Sequence, residues 1–182
     1  MINVFPELLT SRLRLRQFED FDLENVYQGL SNPDVIKHYG VHYHSLAETQ
    51  DQLNWFKALQ DDGTGLWWAI CNKADEEFIG AVGFNNFNKS HKKIEIGFWL
   101  LPKYWKRGII NESATLICNY AFYSLHVNRI EAFVESENEN SKKALLKLAF
   151  EYEGTMKNCE IKNGKTISLS IFAKLTPVSY NP

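Results

Sequence analysis

The sequence predicts a single α/β (α+β) domain built on a mixed, mostly antiparallel sheet. Three observations carry that expectation. Between Lys92 and Leu125 a period-two pattern gives way, across a short cationic turn, to a pattern recurring every three or four residues, which is a strand, a loop and a helix. Alternating segments before and after this unit are joined by short turns, as antiparallel neighbours are. A chain of 182 residues, 45% hydrophobic and 14% aromatic, can bury one substantial core and does not require a second. The domain is therefore expected over 1–182, with its core in about 10–175.

In chain order, Leu9 to Arg16 alternates apolar and polar residues and reads as a first strand. Asp20 can cap a helix carrying Leu23, Val26, Tyr27 and Leu30 on one face, and Asn32-Pro33-Asp34 ends it. From Val35 to His44 the chain is irregular and rich in aromatic and histidine residues, a loop expected to line or cover a pocket. His38, His42 and His44 invite a metal reading, but no carboxylate or cysteine sits at a matching helical spacing, so no metal is expected. Ser45 and Glu48 form a capping-box pattern opening a helix with Leu53, Phe56 and Leu59. After a turn at Asp61 to Gly65, Leu66–Lys73 and Glu76–Phe87 read as two strands. Trp67 and Trp68 then point to opposite faces, one into the core and one toward a second layer or a partner, which leaves a homodimer open. Asn85 to His91 supplies the polar turn that follows.

In the central unit Ile94, Ile96, Phe98 and Leu100 share one face, with Glu95, Gly97 and Trp99 opposite, and Pro102 stops the strand. Ile110, Ala114, Ile117, Ala121 and Leu125 mark the amphipathic helix. Between them, Lys103, Lys106 and Arg107 bring three cations to the amides of a helix N-terminus, an arrangement suited to holding a pyrophosphate. Gly108 permits a backbone conformation costly for other residues, or a close approach by a ligand. Further on, Arg129–Ser136 reads as a strand, and Lys142–Phe150 as a helix with Ala144, Leu145 and Leu148 inward and Asn140 or Ser141 as cap. Phe150–Gly154 and Thr166–Leu175 are the last strands, with Asn163-Gly164 a hairpin turn.

A formal net charge of -2 gives no support for direct nucleic-acid binding. Cys71, Cys118 and Cys159 are odd in number and widely spaced, which suits reduced thiols in a cytoplasmic protein. No apolar run reaches membrane-spanning length, and no repeat or low-complexity tract is visible.

The run IEIGFWLLPKYWKRGIINESA resembles the acetyl-CoA-binding motif of the GCN5-related N-acetyltransferases (GNAT), in particular the branch that includes the ribosomal-protein N-terminal acetyltransferases. The family usually has Gly where this chain has Lys106, and Gly or Ala where it has Ile110. Thr10 to Arg16 is similar to the T-x-R-L-x-L-R opening of that branch. Asn138 to Phe150 is similar to a second signature, N-x-x-S followed by L-x-K-x-G-F, with Ala149 in place of the usual Gly. The resemblance spans roughly Thr10 to Leu175, and two signatures in the right order are far more specific than either alone. It implies a sheet splayed at its middle strands, helices on both faces, and acetyl-CoA as co-substrate.

Acetyl transfer from a thioester to an amine sets three demands. An α-amino group has a pKa of about 8 and must lose a proton before it attacks. The carbonyl oxyanion needs a donor and the departing thiolate a proton or a stabilising charge. The two reactants must be held in contact. No covalent enzyme intermediate is required.

The resemblance assigns Trp99, Leu100 and Leu101 to main-chain contacts with pantetheine. It assigns Trp105, Lys106, Arg107, Gly108, Ile109, Ile110 and Asn111 to the pyrophosphate turn, and Asn138 to the pantetheine side, though Asn138 also suits a loop or cap. Ser141 falls where the family has a serine thought to serve the leaving sulfur, a position that also suits a helix cap. Glu160 falls where the branch has a candidate base, and a solvated strand carboxylate is the other reading of it. Glu95 on the central strand is a second candidate base. The expected acceptor is a protein N-terminus, or else a small-molecule amine such as a polyamine or an aminoglycoside-like compound. A CoA-binding module with little catalysis is the alternative from another class.

Overall fold

The computed structural model describes residues 5–177. The expected limits of the domain at 1–4 and 178–182 lie outside the described residues. In order the elements are β1 (Leu8–Leu9), β2 (Leu13–Arg16), α1 (Leu23–Leu30), α2 (Pro33–Ile36), α3 (Leu46–Asp62), β3 (Leu66–Asn72), β4 (Phe78–Asn88), β5 (Lys93–Leu100), α4 (Ile109–Tyr123), β6 (Arg129–Glu135), α5 (Glu139–Lys147), β7 (Glu151–Lys162) and β8 (Lys165–Leu175). The strands form one sheet in the order β1-β2-β3-β4-β5-β6-β8-β7. Every neighbouring pair is antiparallel except β5 and β6.

That parallel pair makes the feature on which the site depends. β5 and β6 pair at Lys93–Arg129, Ile94–Ile130 and Glu95–Glu131 and no further. Each strand continues, β5 to Leu100 against β4 and β6 to Glu135 against β8. The sheet therefore opens in its middle, beyond Glu95 and Glu131, as the resemblance implies.

The two tryptophans of β3 show that both faces are covered. The Trp67 ring lies 5.3 Å from Phe56 of α3, and the Trp68 ring 5.7 Å from Tyr120 of α4. Both are buried, so neither is the exposed aromatic that would favour a homodimer. Cross-strand partners share a face, so Gly83, Gly97 and Glu95 lie on the α3 side with Trp67, and Val82 and Phe98 on the α4 side with Trp68. The buried residues form one continuous core on both sides of the sheet. No helix among the described residues is long and apolar enough to cross a membrane.

Several boundaries differ from the sequence expectation, most of them for a local polar reason. The first strand is broken because the Thr10 hydroxyl accepts from the amides of Arg12 and Leu13, bending the chain between β1 and β2. Asp20 caps nothing by its side chain. The buried Asp22 carboxylate accepts from the Glu19 amide and from both Arg16 terminal nitrogens, and α1 begins after it. α1 ends at Leu30 with Ser31 as its C-cap, and Asn32 does not break the helix so much as start another, capping α2 by accepting from the Asp34 amide at 3.0 Å. Ser45 caps α3 as expected, but Glu48 reaches the His44 amide rather than that of Ser45. β4 runs on to Asn88, shortening the polar turn. α5 opens at Glu139, its cap being Asn138, which accepts from the Ser141 amide at 3.1 Å; Asn140 and Ser141 lie inside the helix. β7 reaches Lys162 through two register shifts, with most of its residues exposed.

Candidate active site

The turn between β5 and α4 is shaped by two left-handed residues, Lys106 at φ 61° and Gly108 at φ 73°. Gly108 is the N-cap of α4 and no side chain caps this helix. The first bond along the axis runs from the Glu112 amide to the Gly108 carbonyl. The amides of Ile109, Ile110 and Asn111 thus have no partner within the helix, at the positive end of its dipole. Lys106 and Ala149, two positions where the resembling family usually has Gly, both carry positive φ, with Ala149 at 59°. Ala149 follows the end of α5, where the Phe150 amide returns to the Leu145 carbonyl and the Ala149 amide to Leu146.

A cleft of about 750 Å³ starts at this turn. On one side of the sheet it is bounded by the opening of α4 and by Asn138, Ser141, Lys143 and Lys147 from the loop and helix after β6. On the other it is bounded by Asp34, Lys37, His38 and Tyr39 of α2 and the segment after it. Its walls between are Ile96 to Leu100 of β5 and Ala132 to Val134 of β6, the stretches that have parted. The opening therefore passes through the sheet. Lys37, Lys106, Arg107, Lys143 and Lys147 give its lining a cationic excess over Asp34, Glu137 and Glu139. A cleft of this size with amides at one end suits an elongated ligand carrying phosphates.

The expected site residues distribute as follows. Trp99, Leu100, Trp105 to Asn111, Asn138 and Ser141 all line the cleft. Leu101 does not; its amide donates to the Ile79 carbonyl at 3.0 Å. The Leu100 carbonyl is also engaged, accepting from the Trp105 indole at 2.9 Å. Trp99 is buried, and its indole nitrogen is an interior donor without a protein partner, beside the cleft. Asn138 spends its side-chain oxygen on capping α5, and the Ser141 hydroxyl lies half-buried at the cleft wall.

Neither Glu95 nor Glu160 lines the cleft itself. Glu95 is the last residue of β5 paired with β6, at the apex of the opening. Burial pushes its carboxyl above the ordinary range, against a hydrogen bond from the Asn86 amide group at 2.8 Å, and the nearby charges of Glu131 and Glu160 push the same way. Glu160 is exposed on β7. Among the described residues no cluster of histidine, cysteine and carboxylate could hold a metal. His38 instead contacts Glu135 at 2.7 Å, and Lys162 near the β7 end donates to the same carboxylate at 2.6 Å and to the Lys37 carbonyl.

These last contacts were not legible in the sequence. Glu135 joins the segment after α2 to β6 and β7, stretches about a hundred and about thirty residues apart, and no local pattern links them. Its position on β6 was visible, because the alternation of Glu131, Phe133 and Glu135 puts all three on the face of Glu95.

The acetyltransferase (GNAT) domain family matches residues 12–151. An uncharacterized N-acetyltransferase of Bacillus subtilis, YoaA, is 32% identical over 96% of this chain and 99% of its own. The spermidine N(1)-acetyltransferase of Escherichia coli is 27% identical over 84% of this chain and 80% of its own. Among solved structures, an acetyl transferase from Salmonella typhimurium, described as modifying the N-terminal serine of ribosomal protein L7/L12, superposes with a TM-score of 0.84 at 20% identity, covering 92% of this chain and 97% of that one.

Proposed function

The chain belongs to the GNAT acetyltransferase family, whose members use acetyl-CoA as co-substrate, and from that premise we propose how this chain divides the reaction between the two faces of its sheet. The single observation that carries the proposal is the cleft running through the sheet between β5 and β6. The cofactor lies on the α4 side, its diphosphate at the amides that open α4 and its acyl arm along the parted edge of β5. The acceptor comes from the side of α2 and Glu95. A donor and an acceptor that approach from opposite faces meet without a covalent enzyme intermediate.

In this reading the acceptor ammonium gives a proton to Glu95, directly or through water, and the free amine attacks the thioester carbonyl. The C–N bond forms and the C–S bond breaks; the second proton, which the nitrogen sheds as it becomes an amide, passes through the Ser141 hydroxyl to the departing thiolate, so that Ser141 receives one proton as it gives one and ends neutral. A carboxyl raised by burial is a better proton acceptor than an ordinary one, which favours Glu95 over the solvated Glu160.

The acceptor is a primary amine, and a protein N-terminus is one class of it, as with the Salmonella neighbour. A polycationic small molecule is the second reading. It is supported by the Glu95 carboxylate on the acceptor face and by the likeness to the spermidine enzyme; Glu131 and Glu135 on that face are already paired, with Lys93 and Arg129 and with His38 and Lys162. A cytoplasmic setting is consistent with the free thiols of Cys71 and Cys118, both buried. Thiol release from acetyl-CoA, measured with peptides bearing serine or alanine N-termini and with spermidine, distinguishes the two acceptors. Tight CoA binding with no turnover on any amine would reject the catalytic assignment of Glu95 and Ser141.

A further inference from the structure

We infer that Arg12, on the far side of the α4 turn from the cleft, is a positioning residue for the diphosphate. Its Nη2 donates to the Arg107 carbonyl at 2.9 Å across 95 residues of sequence, and its Nε to Glu112 at 2.7 Å. Arg12 does not line the cleft. Arg107 lies between the two left-handed residues that form the turn. In a trans peptide the carbonyl and the next N–H point in opposite directions, and the described chain has no cis bonds. By holding the Arg107 carbonyl toward the back of the turn, Arg12 aims the Gly108 amide forward, toward the phosphates.

The second contact solves an electrostatic problem. Glu112 is the acidic residue of the first turn of α4, where a free carboxylate would compete with the diphosphate for the helix dipole. Its two oxygens are instead taken by the Thr10 hydroxyl and the Arg12 guanidinium. Burial alone would raise this carboxyl, but those two hydrogen bonds and the Arg12 charge hold it below the ordinary range. Arg12 thus directs one amide and neutralises one competing charge. Its side chain is half exposed, at 50%, so the pair adds little to global stability. Its effect is local to the turn.

The inference rests on the reading that this turn holds the diphosphate, and the test separates the two. CoA affinity is measured by calorimetry, with melting temperature and steady-state kinetics beside it. Arg12→Ala is expected to weaken CoA binding and raise the acetyl-CoA KM about tenfold, the loss of a hydrogen bond to a charged group, with kcat within about twofold. The melting temperature should stay within about 2 °C of the parent. Arg12→Lys should recover less than half of the lost affinity, because an ammonium does not reproduce the fork that holds a carbonyl and a carboxylate together. Adding Glu112→Gln to Arg12→Ala should restore part of the affinity by removing the released charge. A CoA Kd within twofold of the parent, or a loss confined to kcat, overturns the inference. If Arg12→Ala does not fold, Arg12→Lys is read in its place, and parental affinity there overturns it equally. A parent chain that fails to bind CoA overturns the functional reading with it.

Discussion

Replacing Gly29 by alanine should destabilise the protein, although Gly→Ala inside a helix ordinarily stabilises it by about 1 kcal/mol. Gly29 is buried on α1, against β5. A Cβ built there lies 2.2, 2.7 and 2.9 Å from three ring carbons of Trp99. The shortest of these is about 1.2 Å short of ordinary contact, which begins near 3.4 Å. The indole is 4% exposed and also touches Phe78, so it can retreat only into the cleft it lines, and otherwise α1 lifts or β5 shifts. Overpacking of this kind costs about 1–3 kcal/mol. Three close contacts with a rigid ring place it at the upper end, leaving a net loss of about 2 kcal/mol after the propensity gain. For a chain of this size that is a fall of about 4–8 °C in melting temperature. Trp99 lines the cleft, so CoA affinity should fall as well. Gly40→Ala, where the added carbon meets nothing within 4 Å, is the control and should leave both unchanged. Thermal unfolding followed by circular dichroism reads the difference. A Gly29→Ala variant that melts at or above the parent temperature would show that α1 and β5 do not pack as closely as described, and the reasoning fails.

Glu95→Gln should lower kcat and remove the acid limb of the kcat/KM profile if Glu95 takes the acceptor proton, and a profile identical to the parent's would assign the base elsewhere. The same substitution should stabilise the fold at neutral pH. The folded carboxyl is raised above its ordinary value of 4.5, so the native state binds more protons than the unfolded one between that value and the raised one, and parent stability falls as pH rises through the window. The gain should vanish below pH 4.5, which urea unfolding at two pH values would show. Asp22→Asn should cost about 3 kcal/mol in the same assay, because it leaves the Arg16 guanidinium, only 11% exposed at its side chain, without its charged partner; a loss under 1 kcal/mol would contradict the contribution assigned to that pair.

The sequence by itself determined most of the elements, though it read α2 (Pro33–Ile36) as a break and a loop, and it pointed to the turn proposed for the cofactor. Strand and helix periods are local, so β5, the turn and α4 could be read directly, and the amides that open a helix need no tertiary partner to be available. The two signatures that carry the family likeness lie in such local stretches, and the Asn163-Gly164 hairpin was legible for the same reason, with both residues at positive φ. The β7 extension was not, because an exposed edge strand with register shifts has no buried face to impose alternation.

Only the tertiary structure decided where the sheet opens, because that depends on where β5 stops pairing with a strand some thirty-five residues later. It also settled that both Trp67 and Trp68 are interior, since a strand pattern fixes opposite directions but cannot say that both faces are covered by helices. The contacts of Arg12 with Arg107 and of Glu135 with His38 and Lys162 belong to the same class: they join residues remote along the chain, and the geometry that aligns them exists once the core has packed. Periodicity records which side of an element is apolar, while charged groups meeting across a cleft are placed by the folding of everything between them.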